Sequence, residues 1–206
     1  KSENLEVMWY LDAANPINLR ADVPQEITVI HQYAKRLMSD GGPPVVIALN
    51  LHASNSEPDI RTFFYPHFGT TQSYTAPQVA LWNSQIRFID LLAARYSANL
   101  LEPPPTEGGS GFANSPFPES WWWTNYQDTV MAMTIEMTYG RAGFAPRWIT
   151  PDDTRQLGTA LLWAIGDYCS GASAAKTART AADSITGRQL LYPAWYPPNA
   201  ADELKY

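Results

Sequence analysis

An α/β fold, with a mixed and mostly parallel β-sheet layered by helices, is what the sequence predicts, and three observations carry the prediction. Short apolar runs at residues 45–51 and 131–137, rich in Val, Ile, Leu and Met, read as covered strands. Three longer stretches repeat apolar residues at helical spacing, and strands that alternate with amphipathic helices imply a sheet packed between helical layers. The chain has 206 residues, 45% of them hydrophobic, which is enough for one substantial core, so residues 1–206 are expected to form a single domain.

The elements follow in order. Leu5-Glu6-Val7-Met8-Trp9-Tyr10-Leu11 is strand-like. Ile27, Ile30, Ala34, Leu37 and Met38 make the apolar face of a first helix, with Asp22 ahead of Pro24 as its start and Gly41-Gly42 as its stop. His31 shares that face and reads as a packing residue. Val79, Trp82, Ile86, Ile89, Ala93 and Tyr96 make a second helix opened by Thr75 and Pro77. Residues 102–111, with three prolines and three glycines, are a loop, and Pro116 and Pro118 prolong the irregularity up to Trp121-Trp122-Trp123. That loop is either a surface connection or a wall of a binding cleft, since long loops on rigid elements are where recognition sits. A third helix, 152–169, has Thr150 as N-cap, Pro151 at its first position, Asp153 as partner of the cap and Gly171 beyond its end. The stretch 172–183 has helical composition, and the Pro- and aromatic-rich tail 190–198 is expected to pack along the surface.

Composition narrows the function. A net charge of -6 argues against nucleic acid or an anionic membrane surface as partner, since both reward clustered Lys and Arg. No run approaches the ~20 apolar residues of a membrane span, and there is no signal peptide pattern. The single Cys169 excludes an internal disulfide.

Two polar residues mark the strand ends. His52 follows the run 45–51, and Glu136 lies near the end of 131–137. Ligands of open α/β sheets gather at the carboxyl ends of strands, so an imidazole and a carboxylate in those places suggest a shared site, against the plainer reading of a structural histidine. Their surroundings are specific. Leu49-Asn50-Leu51-His52-Ala53 is followed by Phe63-Phe64-Tyr65-Pro66 and Phe68-Gly69; Trp123-Thr124-Asn125-Tyr126-Gln127 precedes Thr134-Ile135-Glu136-Met137; Gly143-Phe144-Ala145-Pro146 leads into the third helix. In this order and spacing the chain resembles, from about residue 11 to residue 170, the zinc carboxypeptidases of the M14 family.

The resemblance implies a zinc-carboxypeptidase-like fold of which this chain is the C-terminal part. The implied activity is a zinc-dependent metallocarboxypeptidase that removes C-terminal residues from peptides, with His52 as a zinc ligand and Glu136 as the base for the zinc-bound water. It places the substrate's terminal carboxylate at Arg20 and Asn18, with Asn15 as the alternative amide, and Trp121 at the side-chain pocket; an ordinary solvated charge is the competing role for Arg20. The family's mobile tyrosine falls on Asn114. The family's first two ligands come from a His-x-x-Glu motif, and none of His31, His52 and His67 has Glu three residues later. A catalytic zinc takes three protein ligands and a water, so the implied partners are one zinc ion, a peptide substrate and the N-terminal part of the same enzyme.

Two other function classes compete. Glu119 and Glu136 are candidates for the acid and nucleophile of a glycosidase, with Trp121 to Trp123 stacking on sugar rings, a reading that leaves His52 without a role. The other is a non-catalytic binding module that keeps the carboxypeptidase fold without its metal.

Overall fold

The computed structural model of the chain describes residues 4–54 and 60–171; the stretch 172–183 and the tail 190–198 lie outside the described residues. Three strands, β1 (Ile47–Ser54), β2 (Phe63–Tyr65) and β3 (Met131–Thr138), form a small mixed sheet in the order β1-β3-β2. Four α-helices accompany it among the described residues: α1 (Gln25–Ser39), α2 (Ala76–Ala93), α3 (Pro118–Tyr126) and α4 (Pro151–Cys169). The α/β class predicted from the alternation of patterns is therefore present. No helix among the described residues is long and apolar enough to cross a membrane.

β3 is the central strand, and its sequence says why. Met131, Ala132, Met133, Thr134 and Ile135 are all at most 5% exposed, the continuous burial that a strand covered on both faces requires. The Met131 N–H donates to the Val46 carbonyl, 2.9–3.0 Å being the ordinary length and 3.0 Å the one found. An antiparallel pairing from that bond would carry β3 back along residues before β1, so the two strands run parallel. Both span eight residues; the bond sets Met131 beside Ile47, and a parallel ladder continued from it without a bulge pairs Glu136 with His52. β1 is one of the two edge strands and exposes Leu51 by 63%. It extends to Ser54, so His52 stands inside the strand rather than just past it.

The chain clusters into two compact units, one of residues up to 50 with 65–85 and 106–134, the other of 51–64 with 86–105 and 135 onward. In the first, Trp9, Val23, Ile27, Ala34, Trp121, Trp122, Val130 and Ala132 form a buried cluster. α1 faces it with Ile27, His31 and Ala34, while Ile30 is 59% and Leu37 37% exposed. The buried face of α1 is thus narrower than predicted: it keeps Ile27, His31 and Ala34 and leaves Ile30 and Leu37 outside. The His31 ring packs edge-on against Trp9 and Trp121, and its Nε2 donates to the Ile17 carbonyl at 2.8 Å, which makes it the packing residue expected. Asp22 does not cap α1; it is ion-paired to Arg20, and Pro24 occupies the cap position.

Two elements of this unit differ from the prediction. Residues Leu5–Met8 form a 3-10 helix rather than a strand, started by the Asn4 side chain, which accepts the Glu6 N–H at 3.2 Å; a local side-chain bond outcompetes strand pairing there. α3 begins where a loop was predicted to continue. Pro118 at its first turn and Glu119 behind it are favourable starting residues, and burial of Trp121 and Trp122 anchors the short helix.

In the second unit α4 presents Leu157, Ala160, Leu161 and Ala164 to the interior. Its start is as predicted. The Thr150 hydroxyl accepts the Asp153 N–H at 3.3 Å while the Asp153 carboxylate accepts the Thr150 N–H at 2.8 Å, a reciprocal capping box. Arg147 donates twice to the same carboxylate, at 2.7 and 2.9 Å, and holds it well below the usual carboxylate range. Gly171 ends the helix at φ 76°. Gly143, at φ 63°, makes the turn after β3; a Cβ there would lie 2.0 Å from the Asn99 carbonyl oxygen. Inside the unit, Arg61 and Glu102 form a two-pronged ion pair at 3.2 and 3.1 Å, their side chains 4% and 13% exposed. Replacing Thr150 by Ala removes one half of the capping box, and urea denaturation should show a loss of about 1 kcal/mol.

Candidate functional site

His52 and Glu136 each stand two residues before the last residue of their strand, and each is half-buried. The parallel register of β1 and β3 sets Glu136 directly opposite His52. Paired residues of neighbouring parallel strands project from the same face, about 4.8 Å apart between the strands. An imidazole and a carboxylate are thereby side by side in the second unit, and neither residue is without a partner. Such a pair can do two things: a carboxylate can orient or polarise the imidazole, and each group can accept a proton or a metal ion. Among the described residues no three His, Cys, Asp or Glu side chains converge into a group that could hold a metal.

The other residues singled out in the sequence lie in the first unit. Arg20 is exposed and held by the Asp22 carboxylate, which also keeps the Asp22 carboxyl below its ordinary range; its guanidinium stacks 5.1 Å from the Tyr10 ring centre. Asn18 accepts a hydrogen bond from the Lys35 ammonium, and Asn15 and Asn114 are exposed. Trp121 is 0% exposed, its indole N–H donating to the Ile17 carbonyl at 3.2 Å, with the rings of Trp9, His31, Trp122 and Tyr126 around it. A ring enclosed in this way supports the fold and presents no face to a ligand.

The acidic and aromatic residues of the carbohydrate reading are placed inward as well. Glu119 is 3% exposed and accepts the Thr134 hydroxyl at 2.7 Å. Trp121 and Trp122 are buried and Trp123 is half-buried against Phe68, with ring centres 4.6 Å apart, so the triplet offers no exposed row of rings for sugars to stack on.

The loop predicted at 102–111 is irregular, and its second half is tied down. Gly109 donates its N–H to the Pro66 carbonyl at 3.0 Å, and the Glu107 carboxylate accepts the N–H groups of Thr70 and Thr71 at 2.8 and 2.6 Å. Gly108 is needed for this approach, because a Cβ would meet the Pro66 oxygen at 2.4 Å.

Sequence reasoning passed over His67 and Gln85. His67 is 1% exposed, and burial pushes its pKa down to about 4. Gln85, 0% exposed, carries the one signal that was available, a carboxamide on the apolar stripe of α2 between Trp82 and Ile89. No protein-family model matches the sequence, and no curated protein matches it.

The pH dependence of stability follows from His67. Above its ordinary value of 6.5 the ring is neutral folded or unfolded and contributes nothing. Between 6.5 and about 4 the unfolded chain takes up a proton that the folded chain refuses, so stability falls with pH across that window, by up to ~3 kcal/mol, and levels off below it. Denaturation measured across the window should show a shallower decline for His67→Phe than for the unaltered chain.

Proposed function

We propose that His52 and Glu136 are the portion of a zinc-dependent metallocarboxypeptidase site carried by this chain, His52 as a metal ligand and Glu136 as the base. The observation that supports this reading is the parallel register that sets the two side by side on one face at the ends of β1 and β3. Imidazole is a ligand that zinc favours. The described residues do not complete a zinc site, and the remaining ligands are assigned to polypeptide beyond them, the N-terminal part of the same enzyme.

When bound, zinc supplies a Lewis acid that lowers the pKa of a water from 15.7 toward ~7. The chain's own residues act around it. His52 binds through a ring nitrogen, held in place by its strand. Glu136 accepts the water's proton at a carboxylate oxygen and delivers it to the nitrogen of the departing amine. The resemblance gives the peptide's terminal carboxylate to Arg20 and Asn18, a role that a planar guanidinium suits. Trp121 has no part in the reading, since its ring is enclosed in the fold.

Glu136→Gln separates this proposal from its rivals in the polypeptide that also provides the other ligands. Turnover of a peptide with a free C-terminus is expected to fall ~10²-fold or more with zinc content unchanged, whereas His52→Ala is expected to lose the metal. Near-normal peptide turnover by Glu136→Gln, or activity that survives chelation, would refute it.

A further inference from the structure

The interior of the first unit holds two polar side chains that the proposed function does not use, His67 and Glu119. His67 stands two residues past the end of β2, where a side chain takes over from the ladder. The Gln85 carboxamide oxygen accepts the His67 backbone N–H at 2.9 Å, and its nitrogen donates to the Ala132 carbonyl of β3 at 2.8 Å. These two backbone bonds allow Gln85 one orientation, because a flipped amide would set N–H against N–H and oxygen against oxygen. The second hydrogen of the same nitrogen meets His67 Nδ1 at 3.2 Å. Nδ1 is therefore an acceptor, and the proton of the neutral ring is on Nε2. That Nε2–H is buried and has no hydrogen-bond partner among the described residues.

Glu119 has the complementary need. Its Oε1 accepts the Thr134 hydroxyl, while its Oε2 is buried with no partner among the described residues. Three sets of contacts link the segments that carry the two side chains. Phe68, adjacent to His67, packs on Trp123, which lies one helical turn beyond Glu119 on the same side of α3. Phe112 packs edge-on against the His67 ring at 5.9 Å, and its carbonyl accepts the hydroxyl of Ser120, the residue after Glu119. Ala132 and Thr134, to which Gln85 and Glu119 are tied, are alternate residues of β3.

We propose that His67 and Glu119 line one internal site that binds a single water molecule, which accepts from Nε2–H and donates to Oε2. The chemistry selects the guest. A metal cation at Nε2 is excluded because that nitrogen carries the proton, and an anion is excluded by the carboxylate. The guest has to accept from one side and donate to the other within a closed interior, which is what an internal water does. Held there, it ties the segment after β2 to α3 and spares both groups the penalty of an unpaired buried atom.

The test uses the full 206-residue chain. A crystal structure at a resolution that shows ordered water should contain one solvent peak within about 3.2 Å of both Nε2 and Oε2, and nitrogen NMR should find His67 as the Nε2–H tautomer. A direct Nε2 to Oε2 hydrogen bond, an anomalous peak from a metal at Nε2, or an Nδ1–H tautomer overturns the proposal. In solution, the shift in denaturation midpoint of His67→Phe with Glu119→Met together should be clearly smaller than the two single shifts added, since either change alone dispossesses the shared water; additive shifts count against a shared guest. Should a variant fail to fold, the crystallographic and NMR readings of the unaltered chain decide.

Discussion

The backbone ladder between β1 and β3 governs what the ends of these strands can do. Side chains alternate faces along a strand, so a slip of one residue would turn Glu136 away from His52 and send the buried partners of β3 to the wrong side. β3 is covered on both faces, with Met131, Met133 and Ile135 buried on one and Ala132 and Thr134 on the other, so its side chains have fixed partners on either side. Half-burial of His52 and Glu136 is a consequence, since they sit beyond the continuously covered part of β3 and before the strand ends.

Inside the first unit, polar groups are admitted only with specific partners. The Ile17 carbonyl takes both the His31 and the Trp121 N–H, which joins α1 and α3 to the segment before α1. Gln85 stands in for a peptide unit where β2 has ended, satisfying a donor and an acceptor that the short strand leaves behind. In the second unit Arg61 and Glu102 are buried as a pair, with the guanidinium also over the Phe144 ring at 5.1 Å. Buried ions and amides of this kind add little net stability, but removing one partner is costly, because the other is left desolvated. They act as constraints on which arrangement of the chain is allowed.

Local chemistry was legible where it was self-contained. The cap of α4 is written in Thr150, Pro151 and Asp153, all within one turn, and no distant residue is needed to make it work. β1 and β3 were legible for a different reason: a run of apolar residues bounded by turn residues has few alternatives to a covered strand. α1 shows the limit. Its existence and the packing role of His31 were plain, but Ile30 and Leu37, counted on the buried face from their spacing, are exposed because the surface α1 packs on is narrower than its apolar stripe. α3 was missed because two prolines and three tryptophans obscure the helical period over only nine residues, and its stability comes from what the tryptophans pack against.

The candidate site divides in the same way. By itself the sequence determined the α/β class, the strand-end positions of His52 and Glu136 and the start of the last helix, since each depends on residues close together along the chain. Only the tertiary structure decided that Glu136 stands opposite His52, that Trp121 is enclosed rather than presented, and that Gln85 sets the tautomer of His67. Those outcomes depend on strand register and on contacts between residues far apart in sequence, and neither is specified until the buried apolar faces have chosen their partners.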